Sequence, residues 1–89
     1  MPAKFPLGQT VITPGARDTL NPEDVQAALR RHASGDWGDV GDADRRENEL
    51  SLTQGFRLLS AYTLSNGTKL WIITEADRSA TTLPFPSKY

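Results

Sequence analysis

Asn66-Gly67, set between the runs Phe56 to Leu64 and Lys69 to Glu75, constrains the fold of this chain more than any other stretch. Both runs alternate with a period of two, and Asn-Gly supplies the positive φ angles that a tight hairpin turn needs. The two runs are therefore predicted to pair as antiparallel strands. With Asn66 and Gly67 as the loop residues, paired positions sum to 133: Leu64 with Lys69, Tyr62 with Trp71, Ser60 with Ile73 and Leu58 with Glu75. Tyr62 and Trp71 then form a close, non-hydrogen-bonded pair on one face. The other face carries Arg57, Leu59, Ala61 and Thr63 opposite Ala76, Thr74, Ile72 and Leu70. Both faces are largely apolar, so such a sheet needs helices on one side and an arm, a strand or a partner on the other.

The rest of the chain supplies those elements. Met1 to Gly8 holds two prolines and a glycine and reads as an irregular arm, residues 1–8, ahead of a single domain over 9–89. Gln9 to Thr13 is a short β-branched strand, and Thr13-Pro14 starts a short helical turn to Leu20. Asn21-Pro22-Glu23-Asp24 repeats that start signal with acidic residues suited to a helix N-terminus. Val25, Ala28, Leu29 and His32 then form one apolar stripe, and Gly35 stops the helix. A second helix, capped by Asp42 or Asp44 and ended by Gly55, is polar around most of its circumference and belongs at the surface. Ser79 to Leu83 adds a third strand, and Pro84 and Pro86 end pairing there. The fold class is α+β: two or three helices packed on a three- to four-stranded antiparallel sheet with a central Asn-Gly hairpin.

Composition removes several functions. The 89 residues contain no Cys and a single His, which excludes disulfides, thiolate nucleophiles and Cys- or His-rich metal sites, and no cofactor is expected. The longest apolar run, Leu70 to Ile73, is four residues where a spanning helix needs about 20, and no secretory signal pattern opens the chain. A cytoplasmic protein without membrane contact is expected. The net charge of −1 argues against nucleic acid as partner. That charge is divided: residues 16 to 49 hold nine acidic and five basic side chains, the remainder two acidic and five basic.

Candidate chemistry is sparse. His32 is the one side chain with an ordinary pKa near neutrality, yet it lies on the apolar stripe of its helix, where a half-buried structural role competes with catalysis. Asp36, Asp39, Asp42 and Asp44 fail the spacing of a calcium loop and read as turn and cap residues, so no metal site is assigned. Trp37, between Asp36 and Gly38, either plugs the core edge or meets a ligand. The glycines match neither phosphate-cradling motif. Glu75-Ala76-Asp77-Arg78 closes the hairpin with two carboxylates and a guanidinium, with Arg57 expected opposite Ala76. Either an ordinary salt-bridged turn or an anion site could use it.

His32 with Gly35-Asp36-Trp37-Gly38, Asn48, Gly55, Arg57-Leu58-Leu59-Ser60-Ala61-Tyr62, Trp71 to Arg78, Thr81-Thr82 and Tyr89 form a pattern that resembles a family of small, uncharacterised plasmid- and phage-associated proteins. Some of these carry a label as a restriction-modification subunit. The resemblance spans roughly residues 7 to 89. It implies a mobile-element setting, in which small α+β proteins commonly bind another macromolecule. The restriction-modification label fits poorly, since a methyltransferase subunit needs a cofactor-binding sheet far larger than this chain.

The leading expectation is a mobile-element accessory protein acting by binding another protein, or itself as a homo-oligomer. Its contacts would be Trp37, Tyr62, Trp71 and Asp77, or the acidic helical surface. The alternative is a metal-independent, toxin-like ribonuclease in which His32, Arg57, Glu75 and Arg78 converge to move protons and stabilise a phosphorane.

Overall fold

Proline opens each of the first two helices in the computed structural model, which describes residues 3–64 and 67–83. Helix α1 is Pro14–Thr19 and α2 is Pro22–Ala33, where the missing proline N–H lies among those a helix start leaves unbonded anyway. Asn21 caps α2 by accepting from the Glu23 amide at 2.8 Å. Val25, Ala28, Leu29, His32 and Ala33 are buried, which is the predicted stripe plus one residue. Helix α3, Asp42–Gln54, starts at Gly41 with no side-chain cap, so Asp42 and Asp44 lie inside its first turn rather than capping it. Only Asn48 and Ser51 of α3 are buried, and the helix sits at the surface as its composition requires.

Four strands, β1 Gln9–Ile12, β2 Leu58–Thr63, β3 Lys69–Thr74 and β4 Ala80–Leu83, form one sheet in the order β1-β4-β3-β2. The α+β class and the four strands agree with the sequence reading. The antiparallel expectation is corrected at one place: β1 runs parallel to β4, Gln9 beside Ala80 and Ile12 beside Leu83. Parallel neighbours need a long crossover, and here nearly the whole domain, helices included, is the crossover.

The hairpin register is also corrected. Strands β2 and β3 pair with Leu58 opposite Thr74, Ser60 opposite Ile72, Ala61 opposite Trp71 and Tyr62 opposite Leu70, one residue away from the expected pairing. The cause lies at the loop. The Leu64 N–H donates to the Thr68 carbonyl at 2.8 Å and the Gly67 N–H to the Leu64 carbonyl at 2.9 Å, with Gly67 at φ 85°. Three residues therefore separate the closing pair instead of two, a spacing suited to a left-handed glycine in last place. The Asn66 part of the hairpin expectation lies outside the described residues, as do Pro84, Pro86 and Tyr89.

A one-residue slip redistributes faces. Tyr62 and Trp71, expected side by side, lie on opposite faces of the sheet. The inner face presents Leu58, Ser60, Tyr62, Leu70, Ile72, Thr74, Thr81 and Leu83, all buried. Leu20 and the α2 stripe pack on its Tyr62, Leu70, Ile72 and Leu83 portion. At the other end, Leu58 packs with Trp37 and with Phe5, so the irregular arm is also a core segment. The outer face carries Leu59, Ala61, Trp71, Ile73 and Thr82, all half-buried.

Candidate functional site

His32 has no exposed surface and both ring nitrogens are occupied. Nδ1 meets Ser60 Oγ at 2.5 Å and Nε2 meets Thr74 Oγ1 at 2.9 Å. Thr74 Oγ1 is 2.8 Å from Thr81 Oγ1, and Thr81 Oγ1 is 2.6 Å from the Leu7 carbonyl oxygen. The carbonyl can only accept, so each proton in the chain has one place to go. Thr81 spends its proton on Leu7, hence Thr74 donates to Thr81, hence His32 donates from Nε2 to Thr74. In the neutral ring Nδ1 is then bare and accepts from the Ser60 hydroxyl. The wire fixes a proton on Nε2, which in the neutral imidazole leaves Nδ1 as the acceptor, and it links α2, β2, β3, β4 and the arm.

Its surroundings favour the same state. Burial, and secondarily the Arg78 charge, hold the His32 pKa down to about 4. Phe5 meets the imidazole edge-on at 5.2 Å and Trp37 does so at 5.8 Å, so aromatic rings close the ring off from water.

The four candidates for a ribonuclease site do not converge on an open cleft. Arg57 and Glu75 form an exposed pair at 3.6 Å. Arg78, at φ 61°, donates to the carbonyls of Ser51, Phe56, Glu75 and Ala76, stapling the end of α3 to the β3–β4 turn. Its guanidinium is thus consumed by backbone oxygens. The only imidazole of the chain is a buried strut, with no face turned to a substrate.

Two of the four binding candidates are likewise internal. Trp37 is 1 % exposed and donates from Nε1 to Glu49 Oε2 at 2.7 Å. Tyr62 is buried and donates to the Asp36 carbonyl at 2.5 Å, and burial, opposed by Ser60, pushes its phenol up to about 12. Arg31 lies 4.5 Å over the Tyr62 ring and is paired with Asp36 at 2.7 Å, an ion pair that lowers the Asp36 pKa and raises that of Arg31. Asp77 is exposed but caps its own turn, accepting from the Ser79 amide at 3.0 Å, and that hydrogen bonding to Ser79 lowers its pKa. Trp71 alone of the four lies on the outer face, beside Ala61.

The aspartates of the α2–α3 connection are spent separately. Asp36 takes Arg31, Asp39 accepts from Thr63 at 2.9 Å, and Asp42 and Asp44 ride the first turn of α3. Among the described residues no cluster of three or more His, Cys, Asp or Glu could hold a metal ion. No helix among them is long and apolar enough to cross a membrane.

The second apolar sheet face expected from the sequence is made in part of different residues from those it named. Across the outer face the pairings place Leu59, Ile73, Thr82 and Val11 in one row, with Val11 40 % exposed. The signal was the alternation itself, hidden because the 133 register assigned Ile73 to the face of Tyr62. The α2 stripe, Leu52 of α3 and the arm pack into the clusters of the opposite, inner face. The Arg57–Glu75 pair and Lys69 bound this row along the strands. Comparisons with family models, curated proteins and solved structures returned no match.

Proposed function

We propose that the chain is a protein-binding module whose contact surface is the outer face of the sheet. The observation that carries this reading is the row Leu59, Ile73, Thr82 and Val11, three aliphatic side chains and one threonine, partly exposed on the side of the sheet away from the α2 stripe. A contiguous apolar strip framed by charge is the composition of an interface centre and rim. The acidic helices then face away from the partner, and the resemblance to plasmid- and phage-associated proteins supplies a mobile-element setting for it.

The test compares the full chain with Ile73→Asp and Leu50→Asp. Leu50 is a 47 % exposed residue of α3 that is not part of the row, and serves as the control. After circular dichroism confirms folding, affinity capture from host lysate with mass spectrometry should recover a partner with the wild type and Leu50→Asp and lose it with Ile73→Asp. Recovery of an identical set by all three would remove the outer face as the contact.

A further inference from the structure

The two edges of the sheet are treated differently by the chain. At β2 the edge is closed: the Asp39 N–H donates to the Ala61 carbonyl at 2.6 Å and the Ala61 N–H to the Trp37 carbonyl at 3.1 Å. Asn48 completes the closure, its amide spanning the Leu59 carbonyl at 2.6 Å and the Leu59 N–H at 3.0 Å. At β1 the pattern is reversed. Gln9 donates to Ser79 and Thr13 to Leu83, so backbone alternation turns the N–H and C=O groups of Thr10 and Ile12 away from β4. Among the described residues no strand pairs with that side. Gln9 to Ile12 contains no charge or proline, two of the devices that discourage edge pairing.

A groove of about 290 Å³ runs beside this edge, floored by Leu7, Ile12, Val25, Leu29 and Ala33 with Arg30 on its rim. It continues past Ile12 and Val25 into a smaller depression at Leu20 and Arg17. Among the described residues neither Arg30 nor Arg17 takes part in an ion pair. Glu23 stands two turns from Arg30 along the same helix flank, so the groove is graded in charge rather than uniformly basic.

We propose that this groove binds an extended segment of another protein, which adds to the sheet as a strand alongside β1, lays alternate apolar side chains into the groove and sets a carboxylate against Arg30. Outward N–H and C=O groups at every second residue are matched only by an extended chain, which decides against a helix or a small ligand. The Arg30 guanidinium, in no ion pair among the described residues, decides the sign of the recognised side chain. The inference rests on the protein-binding reading but not on the outer face.

The test titrates the full chain, ¹⁵N-labelled, with capped peptides of alternating valine and threonine bearing one aspartate or one lysine. Binding should slow hydrogen exchange at the Thr10 and Ile12 amides and shift Val25 and Leu29, leaving Leu59 and Ile73 unmoved. The aspartate peptide should bind up to about fivefold tighter than the lysine peptide, the upper yield of an exposed ion pair, and Arg30→Glu should invert that order. N-methylating the peptide at alternate residues should abolish binding in one register and spare it in the other, a readout that does not depend on any variant folding. Absence of binding, indifference to N-methylation, or shifts confined to Leu59 and Ile73 would overturn the proposal; the last would leave the outer-face reading standing. Thr10 and Ile12 amides already protected in the free chain would also overturn it. Protection that grows with concentration would give the groove to a second copy, and protection that does not would give it to the chain's own tail.

Discussion

The inner face of the sheet is buried yet holds Ser60, Thr74 and Thr81, while the outer face is half open yet holds Leu59, Trp71 and Ile73. Simple burial arithmetic would exchange them. The inversion is tolerated inside because the Ser60, Thr74 and Thr81 hydroxyls are satisfied by His32, by one another and by the Leu7 carbonyl, and a satisfied polar chain in a low-dielectric core is stable where a broken one is costly. Outside, among the described residues, there is no such internal solution, since apolar groups in water are relieved only by contact. Among the described residues the inner face is thus complete, and the outer face is where the binding proposal rests.

The contrast is broken most severely at the imidazole. His32→Ala strips Ser60 and Thr74 of their partners and leaves a cavity between Phe5 and Trp37, which should lower unfolding free energy by about 3 to 5 kcal/mol, read by urea denaturation. In a domain this small that loss approaches the whole stability. Combining it with Thr74→Val should recover part of the loss; a fully additive double variant would show that the wire is not a unit.

Acid attacks the same point more gently. The folded imidazole titrates near 4 and the unfolded one near 6.5, so the unfolded chain takes the proton first as pH falls. His32 therefore contributes fully above pH 6.5, loses its contribution through the interval, and has none left below about pH 4. The swing is about 3 kcal/mol, and urea midpoints between pH 7 and pH 4 should follow it. A His32→Gln chain, which keeps a donor and an acceptor without titrating there, should show a flatter profile. Equal slopes would mean that carboxylates elsewhere carry the acid sensitivity.

Much of this architecture was legible in the sequence, and the failures share a cause. The bounds of α2 followed from Pro22, a four-residue apolar stripe and a glycine stop, all local signals. The β1–β4 pairing was hidden because it joins Thr10 to Thr81 across most of the chain, with no local turn signal between them. Phe5 was unreadable as core since a proline-flanked segment has no period to betray which way it faces. The inner hydroxyls were misleading for a sharper reason: Ser60 and Thr74 look like the wet side of an amphipathic strand, and only their spatial meeting with His32 makes them buried. His32 itself was placed on its stripe from spacing, whereas its partners could not be.

At the edge of the sheet the expected loss is smaller. Asn48→Ala frees the N–H and C=O of Leu59 at the margin of β2, so stability should fall by about 1 to 2 kcal/mol. An edge newly able to pair should also promote self-association, visible by sedimentation as a concentration-dependent rise in mass. Lost stability with no association would show that Trp37 to Asp39 guard that edge unaided.

The smallest effect belongs to the Arg57–Glu75 pair at the end of the outer face. Its side chains are 66 % and 44 % exposed and its charged atoms are 3.6 Å apart, so solvent screens most of the attraction. Arg57→Ala should change stability by no more than about 0.5 kcal/mol, and added salt should erase even that. If the outer face binds a partner, the same substitution should matter more in the complex than in the free chain, because docking excludes the water that screens the pair. A double-mutant cycle with Glu75→Ala, run with and without the captured partner, separates the cases. A coupling that is equally weak in both would place the pair outside the buried interface and confine the contact to the Leu59, Ile73 and Val11 row.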